Sequence, residues 1–294
     1  MQALSKPEYI VMLARYLMLV GVLGLTVAAP APAAADTLAA IEERGSIRLG
    51  VRTDATAFSF TDQLGEPAGY TVQLCRAVAA DLKQQLELET LTIEYVEVTT
   101  EDRFDALTEG RIDLLCGATT VTLGRRAMVD FSSLTFATGM GVLYRADGPA
   151  SFGELADKTI GVRRGTTTED VLEDALTSAG LEAEFVAIES HPDGIAALKD
   201  GTIDAYFADR AILIFLALTD PEPDNLRVGE RLFSNEPYAL ALPLGDTEFR
   251  LAVDTALSRI FRSETIERIY AASFGDIEPG DLLRALYLLS AIPD

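Results

Sequence analysis

The segment from Arg103 to Arg126, RFDALTEGRIDLLCGATTVTLGRR, restricts the possible architectures more than any other. Its pattern predicts a short helix carrying apolar Phe104 and Leu107, a left-handed turn at Gly110, and a strand from Ile112 to Cys116. That strand is mostly apolar, so it is expected to be covered on both faces, as in a sheet flanked by helices. Gly117, Ala118, Thr119 and Thr120 follow with little side-chain bulk, and a second helix then holds Arg125 and Arg126. Bare amides, hydroxyls and a forked guanidinium at a strand end make a receptor for a carboxylate. Ile195 to Ala211 repeats the plan of helix, glycine and strand, but its strand ends on Asp209. One unit presents a cation and the other an anion, which together complement a zwitterion.

The same alternation runs along the chain. Strands are expected over Ile47–Arg52, Ile93–Val98, Thr159–Arg163, Glu184–Ile188, Leu226–Phe233 and Tyr238–Pro243, with a hairpin or meander from Phe58 to Gly69. Helices are expected over Thr37–Arg44, Thr71–Leu86, Glu169–Ser178, His191–Leu198, Ala211–Leu218 and Asp281–Ile292, with one or two more between Phe249 and Ala272. Strands alternating with helices over this length mean α/β with largely parallel sheets. The pattern restarts at Ser151, which divides the chain into two lobes joined by two crossover strands, near Thr135–Met140 and Phe233–Tyr238. Lobe 1 is expected to take residues 36–136 and 238–294, and lobe 2 residues 137–237. In open α/β sheets ligands sit beyond the carboxyl ends of strands, so the cleft between the lobes is the expected site.

Composition narrows the partners. The 294 residues are 49% hydrophobic and 24% charged, the balance of a globular chain, and the net charge of -22 argues against nucleic acid or an anionic membrane surface. Residues 1–35 carry Lys6 and Arg15, an uncharged apolar run from Tyr16 to Ala29 and a small-residue site at Ala33-Ala34-Ala35, the pattern of a cleaved signal peptide. The apolar run falls short of the ~20 residues that span a bilayer. The mature protein is therefore expected outside the cytoplasm. There Cys75 and Cys116 could form a disulfide, the alternative being two buried thiols. No Cys/His cluster of metal-binding type occurs, and neither metal nor cofactor is expected.

A set of short matches in fixed order then points to a family. Val51-Arg52 with Phe58-Ser59, Gly69-Tyr70, Thr99 to Arg103, Cys116 to Thr120 with Arg125, Phe131-Ser132, Gly165-Thr166-Thr167 with Glu169, His191 and Ala208-Asp209 carry it. Over roughly Leu38 to Phe274 the chain resembles the periplasmic solute-binding proteins of polar amino-acid ABC transporters, in particular the glutamate/aspartate-binding branch. The resemblance implies a two-lobed periplasmic-binding-protein fold. It implies that Arg125 holds the ligand's α-carboxylate, helped by Thr120, the backbone at Ala118, and Thr167 at a helix N-terminus. Asp209 would hold the α-ammonium, and Arg52, Thr100, Arg103 and His191 would surround the side chain. Where the branch usually has Ser, this chain has Ala118, so one hydroxyl contact is lost.

The implied function is capture of an acidic L-amino acid by a monomer and delivery to a membrane permease. Duller readings stand beside it: Arg103 as a surface helix residue, His191 as a helix cap, Asp209 paired with Arg210, Thr119 and Thr168 as packing or capping groups. Arg163 and Arg164 face either the cleft or solvent and are left out of the set. Two rival functions share the scaffold, a dehydratase-like periplasmic enzyme and a sensor domain. The apolar stripe Leu282, Leu283, Leu286, Leu289 and Ile292 is expected to pack on lobe 1, a partner surface being the alternative.

Overall fold

The expected strand and helix units assemble into two five-stranded sheets and one small meander. The computed structural model describes residues 36–293, so the signal segment expected over residues 1–35 lies outside the described residues. In chain order the first elements are α1 (Thr37–Arg44), β1 (Ser46–Val51), β2 (Asp54–Ala55), β3 (Ser59–Thr61), β4 (Pro67–Ala68), α2 (Tyr70–Gln85), β5 (Thr92–Glu97) and α3 (Arg103–Thr108). Then come β6 (Leu114–Cys116), α4 (Leu123–Arg126), β7 (Asp130–Thr138), β8 (Met140–Arg145), β9 (Thr159–Arg163), α5 (Thr167–Ala179), β10 (Glu184–Ile188), α6 (His191–Asp200) and β11 (Ala205–Asp209). The chain closes with α7 (Arg210–Thr219), β12 (Leu226–Val228), β13 (Glu236–Leu242), α8 (Thr247–Phe261), α9 (Thr265–Phe274) and α10 (Asp281–Ser290).

The first sheet has the order β5-β1-β6-β13-β7 and the second β10-β9-β11-β8-β12. In each, one strand (β13 or β8) runs against the other four. The chain crosses between the sheets where β7 passes into β8 at Gly139, and it returns into β13 after Ser234. The crossings touch: a Cβ on Gly139 would sit 2.3 Å from the carbonyl oxygen of Ser234, so only glycine lets them pass this closely. Phe136 and Tyr238, one on each crossing strand, lie edge-on to Phe58 at 4.9 and 5.3 Å between ring centroids, an aromatic core directly beneath the crossings.

Cys75 on α2 and Cys116 at the end of β6 are joined by a disulfide with their Cα atoms 6.2 Å apart. The bond pins the helix to the strand that leads into the Gly117–Thr120 loop. It closes a loop of 41 residues, for which the chain-entropy relation gives about 4 kcal/mol. A double Cys75→Ser, Cys116→Ser variant is expected to lose stability of that order in urea unfolding; a loss under ~1 kcal/mol would show the bond to be energetically idle.

Two expectations need correction. The strand expected over Leu226–Phe233 stops at Val228, because the chain beyond it bonds to β8 irregularly. Gly229 N donates to Val142 O, Phe233 N donates to Met140 O, and Ser234 Oγ accepts from Met140 N. The apolar stripe of α10 is also split. Leu283, Leu286 and Tyr287 are buried, whereas Leu282, Leu289 and Ile292 are more than half exposed. Tyr287 sets the rotation: its ring stacks on Phe261 and its hydroxyl meets that of Tyr70 at 2.9 Å, while Ser290 Oγ bonds Leu134 O on β7.

Candidate functional site

Strand ends from both sheets converge on one cleft of about 470 Å³ of atom-free space, part of it open to solvent. Arg52, Thr100, Arg103, Ala118, Thr120, Arg125, Thr167, His191 and Asp209, the residues singled out in the sequence, all line it. Arg163, Thr166 and Thr168 join them, and these three were not in the expected set.

From the first sheet, β1 delivers Arg52, whose backbone N–H bonds Ser59 Oγ at 2.8 Å. The loop after β6 is stitched to β13 by Val121 N to Pro237 O and Ala239 N to Thr119 O, so its backbone is fixed at the crossing. The helix expected to hold Arg125 is one turn, α4. It is capped by Thr122, and Arg125 Nη1 reaches back to Thr120 O at 2.9 Å. Thr99 and Asp102 form a compact hydrogen-bonded turn before α3, which holds Thr100 and Arg103 inward. Arg103 Nη1 donates to Thr100 O and Nη2 to Gly165 O at 3.3 Å. Arg103 and Arg125 both lie against the ring of Phe104, at 4.8 and 5.3 Å from its centroid, which keeps two cations close together. Burial, together with the charges of Arg125 and Arg52, pulls the Arg103 pKa down to about 9.

From the second sheet, β9 ends on Arg163 and α5 begins at Thr167, with its positive N-terminal end at the cleft. Ser190 caps α6 through Asp193 N, which places His191 in the first turn. His191 Nδ1 meets the Tyr206 hydroxyl at 2.7 Å. Gly194 permits this contact, since a Cβ there would come within 2.5 Å of the Tyr206 ring. Burial, with Arg163 nearby, lowers the His191 pKa to about 3, so its imidazole is neutral and polar. Asp209 closes β11. Its Oδ2 accepts from Tyr238 at 2.5 Å, and burial beside Glu236 raises its pKa to about 7. Arg210 does not pair with it; its Nε donates to Gly229 O.

Three groups had little signal in the sequence. Asp54 accepts from Arg52 Nη2 at 2.6 Å through Oδ1, and from Arg163 Nη1 through Oδ2. Glu236, on the return crossing, accepts from Thr167 Oγ1 at 2.9 Å and Ser234 Oγ at 2.6 Å. Tyr238 touches Asp209 only because β13 returns past β11's end. Among the described residues, the buried side-chain polar atoms with no hydrogen-bond partner are Arg103 Nε, Thr119 Oγ1 and Asp209 Oδ1. Arg103 and Asp209 line the cleft, a buried donor and a buried acceptor poised for an outside partner, and the Thr119 hydroxyl lies in the loop beside it. No group of His, Cys, Asp and Glu among the described residues could hold a metal ion.

The chain is similar in sequence and fold to known proteins. A glutamate/aspartate import solute-binding protein of Escherichia coli (strain K12) is 27% identical over 261 residues, 88% of this chain and 86% of its own. An L-glutamate/L-aspartate-binding protein of Pseudomonas aeruginosa is 30% identical over 246 residues, 82% of each chain. Among solved structures, an ancestral arginine-binding protein bound to glutamine superimposes with a TM-score of 0.70 at 26% identity, covering 79% of this chain and 99% of its own. The signature of bacterial extracellular solute-binding proteins, family 3, matches residues 47–276, and the chain belongs to that family.

Proposed function

We propose that the protein is a periplasmic receptor that captures an acidic L-amino acid, glutamate or aspartate, and hands it to the permease of an ABC transporter. The observation that carries the acidic preference is the charge balance of the cleft. Four guanidinium groups line it, Arg52, Arg103, Arg125 and Arg163, against three shielded carboxylates. These are Asp209 in the lining, Asp54 paired with Arg52 and Arg163, and Glu236 bonded to Thr167. Glu101 and Asp170 nearby are exposed. Exposed carboxylates are screened by water and salt, so one positive charge is left for the ligand to balance. An amino acid with two carboxylates and one ammonium carries one net negative charge and meets that need. A neutral amino acid leaves the charge in a shielded site, where it is costly.

In this reading Arg125 takes the α-carboxylate with the Thr120 hydroxyl, and Asp209 Oδ1 takes the α-ammonium. Arg103 Nε, with Thr100 and neutral His191 alongside, takes the side chain. The moving units are residues 36–136 with 238–294, and 137–237. A ligand held by Arg125 and Asp209 spans both, which favours the closed arrangement. The names of the relatives, for import and binding, support transport over catalysis.

The test is a thermal-shift screen of the mature protein, unfolded and refolded to strip carried-over ligand, against the L-amino acids. A ligand at ~100 times its Kd adds about 2.7 kcal/mol, a shift of several degrees. Glutamate or aspartate is expected to stabilise most. A larger shift with glutamine or arginine would overturn the acidic reading, and no shift with any amino acid would overturn the receptor reading.

A further inference from the structure

Asp54 occupies a position that a ligand's carboxylate could fill. Its Oδ1 takes two donors of Arg52, Nε at 3.2 Å and Nη2 at 2.6 Å, and its Oδ2 takes Arg163 Nη1 with His191 N at 3.4 Å. The three side chains are shielded, with 6%, 13% and 7% exposure for Arg52, Asp54 and Arg163. Arg52 and Asp54 follow β1 of the first sheet, and Arg163 ends β9 of the second, so the cluster spans the cleft. Among the described residues, the remaining arginines of the cleft, Arg103 and Arg125, have only backbone oxygens and the Phe104 ring as hydrogen-bond and ring partners.

We infer that Asp54 is a specificity-determining residue, a built-in carboxylate that saturates Arg52 and Arg163 and so limits the ligand's side chain to a single negative charge. This rests on the acidic amino-acid reading above and refines it. Without Asp54 the same cleft would hold two further unpaired guanidinium groups and would fit a side chain with two carboxylates. With Asp54 present, such a ligand brings one negative charge too many into a shielded space. A carboxylate fixed by the fold loses no translational freedom on meeting Arg52 and Arg163, which is why a ligand group does not readily displace it.

The experiment is calorimetric titration of the refolded protein with L-glutamate, L-glutamine and L-γ-carboxyglutamate, in wild type, Asp54→Asn, Arg163→Gln and the double variant. In Asp54→Asn the affinity for γ-carboxyglutamate relative to glutamate is expected to rise by at least ~tenfold, equivalent to about 1.4 kcal/mol. Arg163→Gln is expected to move the glutamine-to-glutamate ratio toward glutamine, and the double variant, with the original charge balance, to return to the wild-type ratios. Ratios unchanged within ~twofold in Asp54→Asn would overturn the inference, since tenfold is the expected scale. So would a double variant that fails to restore them. If Asp54→Asn does not melt cooperatively, the Arg163→Gln and double-variant ratios decide. The acidic reading stands or falls separately, on whether wild type prefers glutamate to glutamine.

Discussion

Replacing Arg125 by Ala is expected to weaken L-glutamate binding by roughly two to three orders of magnitude, the cost of truncating one partner of a desolvated, hydrogen-bonded charge pair. Among the described residues Arg125 makes one hydrogen bond, to Thr120 O, and lies against Phe104, so most of its donors are uncommitted there. Its removal breaks no salt bridge among the described residues, and the cost to folding is expected to be small beside the cost to binding. Arg125→Lys should recover only part of the loss, because an ammonium cannot make the paired parallel bonds of a guanidinium. Titration calorimetry at fixed salt separates these cases. A loss under ~tenfold for the alanine variant would place the α-carboxylate elsewhere, since even a single hydrogen bond to a charged group contributes about 1.5–3 kcal/mol.

The sequence made the frame of this site legible because strand ends and helix starts are local features. The glycine and threonine loops after β6 and β9 and the aspartate closing β11 carry their own signatures, and the structure brings them to one cleft. Asp54 was not legible in that way. Two residues beyond Arg52 it reads as an ordinary turn aspartate, and only the approach of Arg163 from the other sheet gives it a second cation. Glu236 and Tyr238 lie in the stretch SNEPYAL, which signals a strand after a turn but nothing about which strand end it will pass. Their contacts with Thr167 and Asp209 are made by topology, at separations of 69 and 29 residues. The rotation of α10 escaped for a related reason. Leucines surround that helix, and the choice among faces is made by Tyr287 finding Tyr70, a residue 217 positions away.

Binding is expected to strengthen as pH rises from about 5 to 7, and the contribution of Asp209 to the stability of the free protein to fall over much the same range. Its folded pKa of about 7 lies above the usual carboxylate value of 3.8, so between these limits the folded protein holds a proton that the unfolded chain has released. At this residue the unfolded state then binds fewer protons, and its contribution to stability declines with pH through about 7, above which Asp209 is ionised in both states. The ligand's ammonium needs the ionised form, so below pH 7 capture must expel that proton, and affinity falls up to about tenfold per pH unit. In the folded protein His191, lowered to about 3, and Arg103, lowered to about 9, do not titrate in this window, so the binding trend is that of Asp209. A glutamate side chain titrates near ~4.3, also outside it. An unfolded His191 does titrate, near its ordinary 6.5, and its contribution to stability rises with pH and offsets much of the fall due to Asp209. Asp209→Asn separates the two effects. It removes the buried charge while leaving Tyr238 an oxygen to donate to, so the free variant should melt several degrees higher than wild type at pH 8. It should also fail to bind glutamate at any pH. Melting curves and calorimetry across pH 5 to 8 read both, and a wild-type Kd that is flat over that range would remove Asp209 from the ammonium site. The stability that Asp209 withholds from the free protein near neutral pH is recovered when an ammonium reaches it, so this one carboxylate serves capture at the cost of the empty receptor's stability.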